Sequence, residues 1–277
     1  MRRSAAVAAL LFFMSGVTGA QGDAKRGEYV SKAAGCLGCH TAKTDGAVPY
    51  AGGRALKTPF GTFFGPNITP HAVAGIGRWS ETDFIRAMRD GRRPDGANYF
   101  PAFPYASFTR MSDADLRDLW VYLRTIPQSA APSRPHELGW LYRWRVLVTP
   151  WKWLYFTAGT AAADTARGAY LANALGHCGE CHTPRNFLGG PKAGRHFAGT
   201  KEGPEGKRIP NITPARLKKW DDGELADFLA SGMTPDGNVT GETMAEVVRN
   251  TTSQLTKGDL NALISYLRSL PAVAEER

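Results

Sequence analysis

Apolar residues along this chain recur at helical spacing, and the same run of elements then appears a second time. An amphipathic opening segment at Lys25–Ala34 predicts a first helix. A second helix is expected from Ser80, where Ser80-Glu81-Thr82-Asp83 has the form of a capping box and Phe84, Ile85, Ala87 and Met88 follow at helical spacing. A third begins at Ser112-Asp113, carries Leu116, Leu119, Trp120 and Leu123 on one face, and stops before Pro127. The counterparts are Thr165–Leu175, Asp222–Ala230 and Thr256–Leu270. Gly- and Pro-rich stretches between them read as loops, and no run alternates convincingly enough to predict a strand. The expected fold class is all-α.

Comparing the chain with itself makes the repeat explicit. Arg26-Gly27-Glu28-Tyr29-Val30 matches Arg167-Gly168-Ala169-Tyr170-Leu171, 141 positions on. Asn67-Ile68-Thr69-Pro70 recurs as Asn211-Ile212-Thr213-Pro214, and Trp79 and Phe84 as Trp220 and Phe228. Gly91-Arg92-Arg93-Pro94-Asp95-Gly96 answers Gly232-Met233-Thr234-Pro235-Asp236-Gly237. The implied organisation is a leader over residues 1–20, one unit over 21–133, a linker over 134–160 and a second unit over 161–277.

The chemistry lies just after each opening helix. Cys36-Leu37-Gly38-Cys39-His40 and Cys178-Gly179-Glu180-Cys181-His182 use all four cysteines of the chain. Cys-x-x-Cys-His is the attachment pattern of c-type haem: two thiols reach the two vinyl groups of one porphyrin, and the next histidine lies under the iron. A zinc or redox Cys-x-x-Cys does not require that histidine. Two haem c are therefore expected, attached at Cys36, Cys39, Cys178 and Cys181, with His40 and His182 as iron ligands.

At the N-terminus, Arg2 and Arg3 precede an apolar run from Ala5 to Met14 and the small residues Thr18-Gly19-Ala20. This is the plan of a secretory signal peptide, with an uncleaved anchor as the alternative. Export to the periplasm, at the outer face of an inner membrane, agrees with haem attachment. Loss of residues 1–20 lowers the net charge from +9 to +7, and ionised propionates would lower it further. The cations are scattered, so nucleic acid is not an expected partner; an acidic redox partner is compatible with the balance.

With these motifs in place, each half resembles a class I cytochrome c domain. The whole chain is similar to the cytochrome c subunits of bacterial membrane-associated alcohol, aldehyde and gluconate dehydrogenases. Gly65-Pro66-Asn67-Ile68-Thr69-Pro70, Gly75-Ile76-Gly77-Arg78-Trp79, Pro101-Ala102-Phe103-Pro104-Tyr105 and Gly176 through Asn186 carry that likeness, together with the Gly91–Gly96 run. The resemblance implies a single-electron carrier without catalytic residues, taking electrons from a dehydrogenase towards quinone, another cytochrome or a terminal oxidase. It also implies a methionine opposite each proximal histidine. Met244, in the expected loop before the last helix, takes that role for haem 2. Phe103 stands where tri-haem members carry methionine, so Met111 is the leading ligand for haem 1; covering the haem edge, as its repeat partner Leu255 would, is the alternative. Met88 reads as core, Met233 as packing or solvent-facing, and His71 as an outside candidate. Trp79 and Trp220, Arg54 and Arg195, and Asn67 and Asn211 are the expected haem environment. Missing methionine near Phe103 also motivates a competing enzyme reading, a di-haem peroxidase or thiosulfate-oxidising cytochrome with an open or unusual site on haem 1.

Leu138–Phe156 holds Trp140, Trp144, Trp151 and Trp153, four of the seven tryptophans, interrupted by Arg143, Arg145, Pro150 and Lys152. Packing the two units together, docking a dehydrogenase subunit, and peripheral membrane association through 138–156 are the roles this composition allows.

Overall fold

Helix α1 (Ala24–Ala33) starts at Asp23, whose carboxylate caps the Lys25 and Arg26 amides. In this computed structural model, which describes residues 22–159, 165–203 and 206–275, α1 lies across α5 (Asp113–Thr125). Between them come α2 (Cys36–His40), α3 (Glu81–Asp90) and α4 (Tyr105–Phe108). The expected leader over residues 1–20 lies outside the described residues.

Gly27 sets the crossing of α1 and α5. A Cβ there would sit 1.9 Å from the Asp118 carbonyl oxygen, so only hydrogen fits where the two backbones meet. Asp118 is buried on α5; it accepts the Asp23 amide at 2.6 Å and faces the Arg26 guanidinium at 2.9 Å. Val30 and Ala33 then pack into a core with Leu116, Leu119 and Leu123. The Ser80–Asp83 capping box forms as the sequence predicts.

After α6 (Val148–Tyr155), within the expected linker, the second run begins with α7 (Arg167–Tyr170), which continues as a π-helical turn over Leu171–Leu175. It goes on through α8 (Gly179–His182), α9 (Pro214–Leu217), α10 (Asp222–Ser231), α11 (Glu242–Asn250) and α12 (Lys257–Ser269). The α7–α12 crossing repeats the first: a Cβ on Gly168 would meet the Ala262 carbonyl oxygen at 1.9 Å.

The two runs share one core and exchange side chains. The Tyr29 hydroxyl on α1 donates to Asp259 at 2.5 Å and accepts the Thr256 amide, so it completes the N-terminus of α12. Reciprocally, the Tyr170 hydroxyl donates to Asp115 at 2.6 Å and accepts the Ser112 amide at the start of α5. Each opening helix thus caps the closing helix of the other run.

One expectation needs correction: the chain is mostly helical rather than all-α. Strands β1 (Ala55–Thr58), β2 (Gly61–Phe64) and β3 (Glu137–Leu138) form a small antiparallel sheet in that order. Gly61, at φ 121°, makes the tight turn and lets Glu137 approach; a Cβ would stand 2.4 Å from the Glu137 carbonyl oxygen. Four-residue strands are too short for alternation to declare them. Residues from the 134–160 segment are therefore built into the first run, and Val148 of α6 packs on Phe63 and Phe100. No described helix is long and apolar enough to cross a membrane.

Candidate functional site

Each Cys-x-x-Cys-His motif is a short helix turned out of its opening helix: α2 follows a left-handed Gly35 and α8 follows His177 at φ 37°. Burial pushes all four thiols up, to about 11 at Cys36, Cys39 and Cys181 and about 12 at Cys178. They are neutral, unpaired thiols rather than nucleophilic or zinc-poised thiolates. Among the described residues no three His, Cys, Asp or Glu side chains converge to hold a metal ion.

The motif histidines are oriented identically. His40 Nδ1 lies 2.8 Å from the Pro66 carbonyl oxygen, and His182 Nδ1 lies 2.8 Å from that of Pro210. A carbonyl only accepts, so Nδ1 carries the proton and Nε2 keeps its lone pair. Burial holds both imidazoles below their usual pKa, favouring that neutral tautomer. The loops carrying the prolines are fastened to the motifs: the Gly52 amide donates to the His40 carbonyl and the Gly199 amide to the His182 carbonyl, both at 2.7 Å. Both glycines have positive φ, and a Cβ on either would strike an asparagine amide, Asn67 or Asn211. Those asparagines fix the loops: Oδ1 of each accepts from Thr69 or Thr213, and each amide group donates to the chain beyond the closing helix, Ser129 and Ala131 or Val273.

Arg54 and Arg195 sit in the loops after the motifs. Arg54 donates to Ala55 and reaches Glu246 of α11 at 3.1 Å, yet its buried Nε has no partner; Nη2 of Arg195 is buried and unpartnered likewise. Trp79 and Trp220 are half-buried against the common core. Met111 is wholly buried, and its carbonyl is held by Arg89 at 2.9 Å. Met88 is core, Met233 is exposed, and His71 Nδ1 accepts the Val73 and Ala74 amides of its own turn. Met244 lies on helix α11, not in a loop as expected, half-buried against the core. The loop is what the resemblance implies, and α11 starts from Gly241 with no side chain capping it to signal a helix.

Across the shared interface each run reaches the motif of the other. Helix α11 packs on α2, and Ser107 of α4 donates to Glu180 inside the second motif at 2.9 Å. Cys39 is near enough to Cys181 to add, after burial and Glu180, to the rise in its pKa. Glu246, also paired with Lys43 at 2.8 Å, and His196, whose Nε2 meets Asn173 at 2.9 Å, complete the surroundings. Glu246 has no sequence signal, since it belongs to the other run from the motif it meets, whereas His196 stands beside Arg195 in the loop after its own motif and was passed over. An open groove of about 630 Å³ runs between α2 and α11, with Lys43, Glu246 and Arg249 among its walls.

A cytochrome c family model matches residues 24–127. Over 264 residues the chain is 43% identical to a "Diheme cytochrome c-type" protein of Cereibacter sphaeroides, covering 92% of this chain and 88% of that one. The chain belongs to the cytochrome c family. This cytochrome is also 38% identical to the fructose dehydrogenase cytochrome subunit of Gluconobacter japonicus, over 90% of its own length and 53% of that subunit. It is 34% identical to the gluconate 2-dehydrogenase cytochrome c subunit of Pantoea cypripedii, over 90% and 59%. The cytochrome thus spans little more than half of those two subunits. Membership implies covalently bound haem c and supports an electron-transfer role. The residues present fit such a group: paired neutral thiols, a free imidazole nitrogen beside them, and buried guanidinium nitrogens without partners.

Proposed function

We propose that the cytochrome is an exported di-haem carrier with two tandem class I domains, over 21–133 and 161–277. It would pass single electrons from a dehydrogenase towards quinone, another cytochrome or a terminal oxidase. Haem c, when bound, supplies the reversible one-electron iron couple. The protein's part is attachment through Cys36, Cys39, Cys178 and Cys181, and ligation through the Nε2 atoms that Pro66 and Pro210 leave free. Arg54 and Arg195 would turn their unpartnered nitrogens to propionates, and Met111 and Met244 would present thioethers. Trp79 and Trp220 would close the crevices against water. Lys43 and Arg249, at the groove beside the first motif, favour an acidic redox partner.

The observation that carries this reading is the matched pair of motifs, each with two free thiols and a histidine whose Nδ1 is taken by a proline carbonyl 2.8 Å away. Two matched attachment sites on one chain suit relay between two centres. The test is a haem count by pyridine haemochrome with a potentiometric titration. Two haems per chain and two one-electron steps are expected, falling to one of each when Cys36 and Cys39 are replaced by alanine. One haem in the unaltered chain would overturn the proposal. Hydrogen peroxide or thiosulfate turnover well above that of free haem would transfer the assignment to the enzyme class.

A further inference from the structure

The aromatic segment before α7 packs inward with one side only. Arg145 donates to the Asn98 carbonyl, and Lys152 contacts the Gly91 carbonyl and Asn98 Oδ1 at the end of α3, so these two cations serve the fold. The other side stands clear of the protein: Trp140, Val146, Trp153 and Leu154 are 67–81% exposed. A loop of the second run joins them. Phe187 is 87% exposed, and Trp151 Nε1 donates to the Leu188 carbonyl at 3.0 Å, tying that loop to α6. On the far side of the loop, Gly189 abuts the Phe60 ring, which contacts the Tyr142 ring edge-on at 4.9 Å. One apolar surface therefore runs from the Trp140–Trp144 turn, over Phe60 and Leu188, to α6, drawn from both runs of the chain.

We infer that this surface seats the protein on a lipid bilayer bearing anionic headgroups. Its composition is that of a membrane interface: indoles and aliphatics with no carboxylate anywhere from Leu138 to Phe156. Arg143 is exposed between Trp140 and Trp144, its Nε donating to the Trp140 carbonyl, so the guanidinium stands where headgroup phosphates would meet it. Shape favours lipid over a folded partner. Side chains that protrude as far as Trp153 and Phe187 need matching pockets in a protein, whereas a fluid interface admits them without any. The inference does not depend on haem content; it rests on the export reading only for which membrane face is met.

Vesicle co-sedimentation of the holoprotein, followed by its haem absorbance, tests this. With phosphatidylcholine vesicles containing about a third phosphatidylglycerol, the protein should pellet, and less so with phosphatidylcholine alone. A Trp153→Ser, Phe187→Ser variant should lose about tenfold in partition, and Arg143→Gln should weaken binding only to the anionic vesicles. All forms share one N-terminus, so any binding through residues 1–20 is common to them. Unchanged haem spectra and melting temperatures separate loss of docking from loss of fold. Protein remaining in the supernatant, or a double variant that pellets as well as the parent, would overturn the inference. So would self-association abolished by the same substitutions, which would assign the surface to a second copy.

Discussion

Replacing Gly27 by alanine sets two effects of opposite sign against each other. An alanine inside a helix is favoured over glycine by about 1 kcal/mol, so α1 considered alone would gain. Against this, the added Cβ falls 1.9 Å from the Asp118 carbonyl oxygen, where ordinary contact begins at 3.4 Å. The obstacle is backbone of α5, not a side chain that could swing aside, so α1 and α5 must part by about 1.5 Å. Gaps of 0.5–1 Å already forfeit roughly a quarter to a half of a contact's attraction. Overpacking of this kind costs about 3 kcal/mol at the upper end of its usual range. The net expectation is about 2 kcal/mol of destabilisation, which in a chain of this size lowers the melting temperature by about 4–8 °C. Gly168→Ala, facing the Ala262 carbonyl at the same 1.9 Å, should do likewise. Gly258→Ala is the control: it lies in the first turn of α12 with nothing nearer than Thr256 Oγ1 at 4.0 Å, and should hold or slightly raise the melting temperature. Thermal unfolding followed by far-ultraviolet circular dichroism on the three holoproteins decides the matter. A Gly27→Ala protein as stable as its parent would refute the close crossing.

Tyr29→Phe and Tyr170→Phe should each cost about 1–2 kcal/mol in urea unfolding, since each removes a hydroxyl that serves a carboxylate and a helix-capping amide. Acid should act through Asp259, whose carboxyl is held below its ordinary 3.8 chiefly by the Arg167 guanidinium. Its contribution is complete above pH of about 4 and is lost as pH falls through the lowered native pKa, so the parent's melting temperature should drop more steeply below pH 4 than that of Asp259→Asn. Met111→Leu and Met244→Leu should each remove about half of the near-infrared sulfur-to-iron intensity of the oxidised protein and lower the potential of a different haem. A Met111→Leu protein with both potentials unmoved would reduce Met111 to packing.

Much of this was readable in the sequence because helices and attachment motifs are local. Ser80 with Asp83, and Leu116 with Leu119 and Leu123, declare their helices within one or two turns. Arg54 and Arg195 were legible as cations in loops beside thiol motifs, and each proves to have a buried nitrogen in want of a partner. What escaped was non-local. Tyr29 looks like any aromatic on an amphipathic helix, and nothing near it names a partner 230 residues away. The sheet escaped because β3 is two residues long and pairs with β2 only through the shape of the intervening chain. Helix α11 escaped because it opens at Gly241 without a capping side chain, directly after a Gly- and Thr-containing stretch that reads as loop. The tryptophan-rich 138–156 segment stood out in the sequence, but nothing there showed that Phe60 and Phe187 would join it.

The exchanged tyrosines have a further consequence. Contact in which one patch meets its own duplicate, each giving the other the same group, is the isologous form of a two-fold dimer. Here both copies lie on one polypeptide, so the encounter is intramolecular, with an effective concentration set by the tether rather than by the cell. Dilution cannot separate the partners. A tandem chain can then let its two sides diverge, as Met111 and Leu255 have, without forfeiting their pairing.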